Sequence, residues 1–241
     1  MSDAKSAFER EHSGRVREMF AGIASRYDLL NHLLSGNMDK RWRKTAALRM
    51  RDALKSREAN VLDVACGTGD LAITLFDTTG AQVVGTDFCH PMLEIAQKKC
   101  LGSKRAIPFI EGDALNLPFV DNSFDGATIA FGLRNLADVE QGLRELMRVV
   151  KPEGTVAVLE FSKPVVPGFR QLFAVYFTRV LPLLGGVVSG SRRAYEYLPD
   201  SVSRFPDQEK LASVMKEIGF GEVHYQNLTG GIAALHVGKS A

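Results

Sequence analysis

The stretch Val61-Leu-Asp-Val-Ala-Cys-Gly-Thr-Gly-Asp70 limits what this chain can fold into more than any other. Val61 to Val64 is a short apolar run suited to a buried parallel strand. Ala65, Gly67 and Gly69 then remove side chains where the chain turns into a helix beginning near Leu71. Such a turn presses bare backbone against a ligand and aims the partly positive helix end at it. Eighteen residues past Gly69, a second apolar strand, Gln82-Val-Val-Gly-Thr-Asp87, ends in a carboxylate. In a βαβ unit, an acid at that tip is placed to accept from both hydroxyls of a ribose.

Two cofactors fit this pattern. Gly67-Thr-Gly69-Asp-Leu-Ala72 satisfies the dinucleotide spacing G-x-G-x-x-A, with Asp87 as the ribose acid. Asp63, inside the strand just before the glycines, would repel a pyrophosphate but not a sulfonium amino acid. That tilts the choice towards S-adenosylmethionine and leaves a nicotinamide oxidoreductase as the rival.

The 241 residues, 45% hydrophobic and 24% charged, suit one globular domain with elaborations. A net charge of +2, with basic residues scattered except in Lys40-Arg-Trp-Arg-Lys44 and Arg192-Arg193, implies no nucleic acid or other polyanion. Three cysteines without metal-ligand spacing and an N-terminus without an apolar core lead us to expect the cytoplasm.

Residues 1–15 read as polar and loosely ordered, and Val16 to Leu34 as two short helices broken near Ser25-Arg26. Asp39 is the expected cap of a helix running from Lys40 to about Leu54. Residues 1–58 are therefore expected to form a helical lid, with residues 59–241 as the catalytic domain and 165–206 as a substrate-side insertion. Further strands are expected at Ile107–Glu111, Gly126–Phe131 and Thr155–Phe161, separated by helices capped by Asp138 and, later, Asp207. Residues 169–188 are apolar but interrupted by Arg170, Arg179 and Pro182, too short for a bilayer span. Tyr195 to Pro206 reads as an irregular loop. Val223–Asn227 and Ile232–Val237 lack a crossover helix and must be antiparallel, unlike a dinucleotide domain.

Beyond the glycine loop, three strings are specific: Met19-Phe-Ala-Gly-Ile-Ala-Ser-Arg-Tyr-Asp-Leu-Leu-Asn-His-Leu-Leu-Ser-Gly36 with Trp42-Arg43, Thr128-Ile-Ala-Phe-Gly-Leu-Arg-Asn135, and Leu159-Glu-Phe-Ser-Lys-Pro164. Through them the chain resembles the ubiquinone/menaquinone biosynthesis C-methyltransferase family, within the class I S-adenosylmethionine methyltransferases. The resemblance implies an α/β, Rossmann-like seven-stranded sheet, mostly parallel with an antiparallel C-terminal hairpin. It also implies a polyprenylated quinol methylated on a ring carbon, with S-adenosyl-L-homocysteine as the other product. The Tyr197–Pro206 stretch is more similar to the menaquinone branch, and the ubiquinone branch stays open. Gly67, Thr68, Asp87, Asp113 and Ala114 match the family's cofactor positions. Ala130 stands where related sequences often carry Ser. Glu153 replaces the first Gly of Lys-Pro-Gly-Gly, for which a type I turn is expected.

A sulfonium methyl is already activated, so no metal is expected, and the dispersed histidines offer no ligand set. The acceptor carbon gains nucleophilicity when a neighbouring phenol, with a pKa of about 10, ionises. Arg134 is the candidate to stabilise that phenolate electrostatically; its structural alternative is pairing with Asp138 or Glu140. Asn135 and Tyr27 are candidate substrate contacts, with Asp28 and His32 as weaker pocket or proton-relay candidates. A homodimer, membrane-surface contact, a different methyl acceptor such as a sterol and a catalytically silent scaffold stay open as alternatives.

Overall fold

The computed structural model describes residues 2–103, 105–167, 171 and 192–241. Seven strands form one sheet: β1 (Asn60–Val64), β2 (Gln82–Asp87), β3 (Phe109–Glu111), β4 (Phe124–Ala130), β5 (Val150–Phe161), β6 (Gly221–Leu228) and β7 (Ala233–Lys239). Their order is β3-β2-β1-β4-β5-β7-β6. The first five run parallel, and β7 is antiparallel to both β5 and β6. This is the expected α/β sheet with its antiparallel end. The rim strands are irregular: β3 has three residues, and the β6 pairing shifts register between Gly221 and His224.

Successive strand residues face opposite sides, and both sides are covered, so the strands read as continuous apolar runs. Leu62, Val64, Val156 and Val158 join one core, beneath α6 (Val139–Val149) and α8 (Gln208–Ile218). Val61, Val83, Ala157 and Leu159 join the other, with Trp42, Ala46 and Met50 of α3 (Met38–Ala53) and Leu71 and Leu75 of α4 (Asp70–Thr79). Asp138 and Asp207 cap α6 and α8 as expected, accepting from the Gln141 and Lys210 amides.

Several expectations need correction. Residues 1–15 are not loose: α1 spans Ser2–Ile23, a 3-10 turn Ala24–Arg26 makes the expected break, and α2 spans Tyr27–Leu34. The third strand is shorter than expected and the fifth longer. Asn37, at φ 61°, precedes α3, and Asp39 is not its cap. Asp39 is buried, where it accepts from His32 at 2.7 Å, Ser35 at 2.7 Å and Arg43. Tyr195 to Arg204 is not a loop but part of α7 (Arg192–Arg204), with Pro199 inside it. The apolar 169–188 segment lies outside the described residues except for Gln171. No helix among the described residues is long and apolar enough to cross a membrane.

The turn at Lys151–Gly154 also differs. Glu153 has φ 62°, the left-handed value of a type II turn's third residue and not of type I. The turn is pinned by the C-terminal strand, with Glu153 N–H donating to Ser240 O at 3.0 Å and Ser240 N–H to Gly154 O at 2.9 Å. A side chain there is held in an unfavourable conformation. Glu153→Gly is expected to stabilise the fold by about 0.5–1 kcal/mol. A thermal melt would register that as a rise of about 2–3 °C; an unchanged or lower midpoint would show that the turn stores no such strain.

Candidate active site

The parallel strands end on one side of the sheet, and there an open cavity is lined by Ala65, Gly67, Asp87, Asp113, Ala114 and Asn135, among others. Ala65 follows β1, Asp87 ends β2, Asp113 and Ala114 follow β3, and Asn135 closes the 3-10 turn Leu133–Asn135 after β4. Ala65 at φ 51° and Phe131 at φ 57° are left-handed non-glycine residues facing this cavity. Strain of this sort is held where a surrounding structure imposes it, commonly at functional sites. Gly69, at φ 82°, ends the loop against α5 (His90–Cys100): a Cβ there would lie 2.9 Å from the Ala96 Cβ. Only glycine fits.

Asp87 is 6% exposed. Its carboxylate accepts from the Gly67 amide at 2.8 Å and the Cys89 amide at 2.9 Å, so it shapes the glycine loop as well as lining the cavity. Burial pushes its pKa up to about 6 against those hydrogen bonds. Asp113 accepts from the Leu115 amide at 2.9 Å, and Ala114 and Ala130 keep the walls low. Gly67, Asp87, Asp113, Ala114, Asn135 and Tyr27 are thus brought together.

Thr68 is not among the lining residues: it is buried, and its hydroxyl donates to Asp28 at 2.5 Å. Asp28 and His32 do not line the cavity either. Lys99 of α5 lies 2.6 Å from both Asp28 and Asp70, while His32 and Arg43 engage Asp39. This ionic cluster ties α2 to α3, α4 and α5. His32, Asp39 and Asp70 offer ligand atoms within 4.8 Å of one another, a grouping the dispersed histidines did not suggest. Arg43 and Lys99 already supply the positive charge there.

Asp63 also differs from the expectation. It shares the α3-facing side of β1 with Val61, is 1% exposed, and accepts from Thr128 at 2.7 Å, so it does not face the cavity. Burial pushes its pKa up to about 7. Between about pH 4 and pH 7 the folded chain therefore holds a proton that the unfolded chain has lost. This group's contribution to stability falls as pH rises through that window and is level above it. Asp63→Asn should gain on the parent in melting temperature between pH 4 and pH 8; a constant difference would show that Asp63 is ionised throughout.

Arg134 lies behind the cavity wall. Its guanidinium is paired with Glu160, not with Asp138 or Glu140, at 2.7 Å; the two side chains are 7% and 1% exposed. Glu160 also accepts from the Arg134 and Phe161 amides, and the Arg134 guanidinium carbon sits 5.2 Å over the Phe161 ring. The Arg134 Nε–H is buried with no acceptor among the described residues. Asn135 donates to Phe131 O at 3.2 Å and accepts from the Tyr197 hydroxyl at 3.2 Å. Tyr27 roofs the glycine loop, its ring 3.9 Å from where a Gly67 Cβ would be. Burial raises the Tyr27 pKa although Arg134 and Arg43 oppose it, so at neutral pH it is a donor, not a base.

Sequence reasoning missed the contribution of α1. Ser13 and Phe20 line the cavity, and His12 approaches Asn135 O at 3.1 Å. Phe88, Met92 and Leu136 complete its apolar wall. The polar opening of the chain carried no signal for His12 and Ser13, and although Phe20 lies in the string from Met19 to Gly36, nothing local showed that it would reach the cavity.

A sequence model of the ubiE/COQ5 methyltransferase family matches residues 8–240. The chain belongs to the ubiE/COQ5 methyltransferase family. Among its relatives, a demethylmenaquinone methyltransferase of Thermus thermophilus is 51% identical over 91% of this chain and 99% of that protein. One from Deinococcus radiodurans is 49% identical over 92% and 91%. A ubiquinone/menaquinone biosynthesis C-methyltransferase UbiE of Paracoccus denitrificans is 42% identical over 97% and 94%. Solved structures share the fold: an S-adenosylmethionine-dependent methyltransferase of Thermotoga maritima (TM-score 0.64, 19% identity, 93% of this chain and 99% of that one) and the [4+2]-cyclase SpnF (0.68, 17%, 93% and 94%). This ubiE/COQ5 family member is an S-adenosylmethionine-dependent methyltransferase, and the nicotinamide reading falls.

The site fits that cofactor. Two carboxylates at neighbouring strand tips face one cavity, with small residues such as Ala65, Gly67, Gly112 and Ala114 near them and the apolar Phe20, Phe88, Met92 and Leu136 on the remaining walls. Asp87 suits ribose hydroxyls, while Asp113 and Ala114 suit an adenine edge and face.

Proposed function

We propose that this enzyme methylates a ring carbon of demethylmenaquinol, a polyprenylated naphthoquinol, to give menaquinol. The cofactor supplies an electrophilic methyl group, and the chain must position an electron-rich ring against it and favour the ring's oxyanion. The observation that carries this reading is the unpaired Arg134 Nε–H, buried just behind the cavity wall next to Asn135, which does line the cavity. A buried donor without an acceptor is costly, and an incoming phenolate oxygen would satisfy it. Glu160 balances the guanidinium charge and fixes its plane. Asn135, held by Tyr197 and Phe131 O, is oriented to meet a quinol oxygen, while Tyr27 closes the site from above.

The high identity to proteins named for demethylmenaquinone supports this branch over the benzoquinol one. Lipid extracts of a strain lacking the gene should accumulate demethylmenaquinone and revert on its return. Reversion of a benzoquinone precursor instead would move the enzyme to the ubiquinone branch, and no methylated quinone at all would end the proposal.

A further inference from the structure

The outer face of α3 extends the basic run Lys40-Arg-Trp-Arg-Lys44 with cations further along the chain. Lys40, Arg41, Lys44, Arg49 and Arg51 are exposed on this helix, and Lys55 and Arg57 continue the run just beyond it. At about 100° per residue, Lys40, Arg41, Lys44 and Arg51 fall within one arc of roughly 100°, opposite the buried Trp42, Ala46 and Met50. Among the described residues, only Arg51 of these has an acidic partner, Asp52 at 2.9 Å; Lys44 donates to Thr78 and Arg49 to Gln226. The nearby Asp77 is taken by Arg105 at 2.8 Å. Arg51, Lys55 and Arg57 also line an open cleft with Thr78 and Gly80 at the far end of the helix. In a chain of net charge +2, seven exposed cations on one short stretch form a concentrated field.

We infer that this face docks the enzyme on an anionic phospholipid bilayer. The choice of bilayer rests on the proposed function, since a polyprenyl tail resides in lipid. It also rests on the face itself, which is a cationic stripe without exposed aromatic rings on which bases could stack: its one indole, Trp42, is buried. The turn Ser35–Asn37 joins this helix directly to α2, whose Tyr27 roofs the cavity and whose Leu29 is 62% exposed. Docking along α3 therefore brings the lid to the lipid surface that holds the acceptor.

The test is co-sedimentation of the full chain with vesicles of phosphatidylcholine alone or mixed with phosphatidylglycerol, at low and high salt. Binding is expected only to the mixed vesicles and is expected to weaken with salt. Lys44→Glu/Arg51→Glu/Lys55→Glu should lower it by at least about fiftyfold, at about 1 kcal/mol per charge lost near the surface. Should the triple variant melt early, Lys44→Gln/Lys55→Gln carries the same comparison. Methylation of a short-chain quinol in detergent, assayed in parallel, should be unchanged in the variants. Its failure in the parent would strike at the proposed function, while vesicle binding would still judge the docking. Equal binding to both vesicle types, undiminished binding by the variants, or tighter binding to a DNA oligonucleotide than to the mixed vesicles would overturn the inference.

Discussion

Arg134→Ala is expected to abolish most turnover and to destabilise the protein by about 3–5 kcal/mol, because it strands the Glu160 carboxylate in the interior. Glu160 is 1% exposed and, among the described residues, would retain only the Arg134 and Phe161 amides as donors. In a chain of this size the melting point should drop by about 10 °C. Replacing both partners with apolar residues, as in Arg134→Met/Glu160→Leu, should recover most of that stability, since a buried pair roughly offsets its own desolvation. Turnover should stay low, by about 10²-fold or more, if the guanidinium stabilises developing oxyanion charge. Melting curves, cofactor titration and single-turnover rates separate the two roles. Recovery of turnover together with stability in the double variant would mean that Arg134 is scaffolding alone.

Asp87→Ala should weaken cofactor binding at least tenfold, about 1.4 kcal/mol, and leave the Gly67 and Cys89 amides without their acceptor. The same carboxylate gives binding a pH dependence of definite sign. Its pKa is raised to about 6, and in the role proposed for it the ionised form would accept from the ribose hydroxyls. Affinity should therefore be full above pH 7 and fall by about tenfold near pH 5 as the proton goes on. Isothermal titration across that range would test this, and Asp87→Asn should flatten the slope from this residue. An unchanged slope in the Asn variant would assign the dependence to another group.

What the sequence disclosed was local. An apolar run followed by bare residues is legible as β1 and its loop, and the acids before α6 and α8 as caps, because each rests on a few neighbouring residues. Distant pairings were hidden. The partner of Arg134 lies 26 residues on, brought alongside because β4 and β5 are adjacent, whereas Asp138 and Glu140 were merely near in sequence. Asp39 looked like a cap because nothing local showed that α2 would deliver His32 and Ser35 to it. Asp63 was assigned to the ligand because the parity of β1, which turns it towards Thr128, depends on which helices cover which side. Pro199 and Pro206 suggested a loop, yet burial of Ser201 and Phe205 holds a helix through the first of them. In α1 the apolar positions are few, and the cavity it completes is built by other segments.

The sheet's outermost strands bear on how the protein behaves when crowded. A long, flat, unpaired rim invites other chains to add themselves to it. Here one rim, β3, is three residues long, and the other, β6, is kinked where its pairing slips between Gly221 and His224. Neither offers a straight template, so concentrated solutions should resist fibrillar growth from the native state.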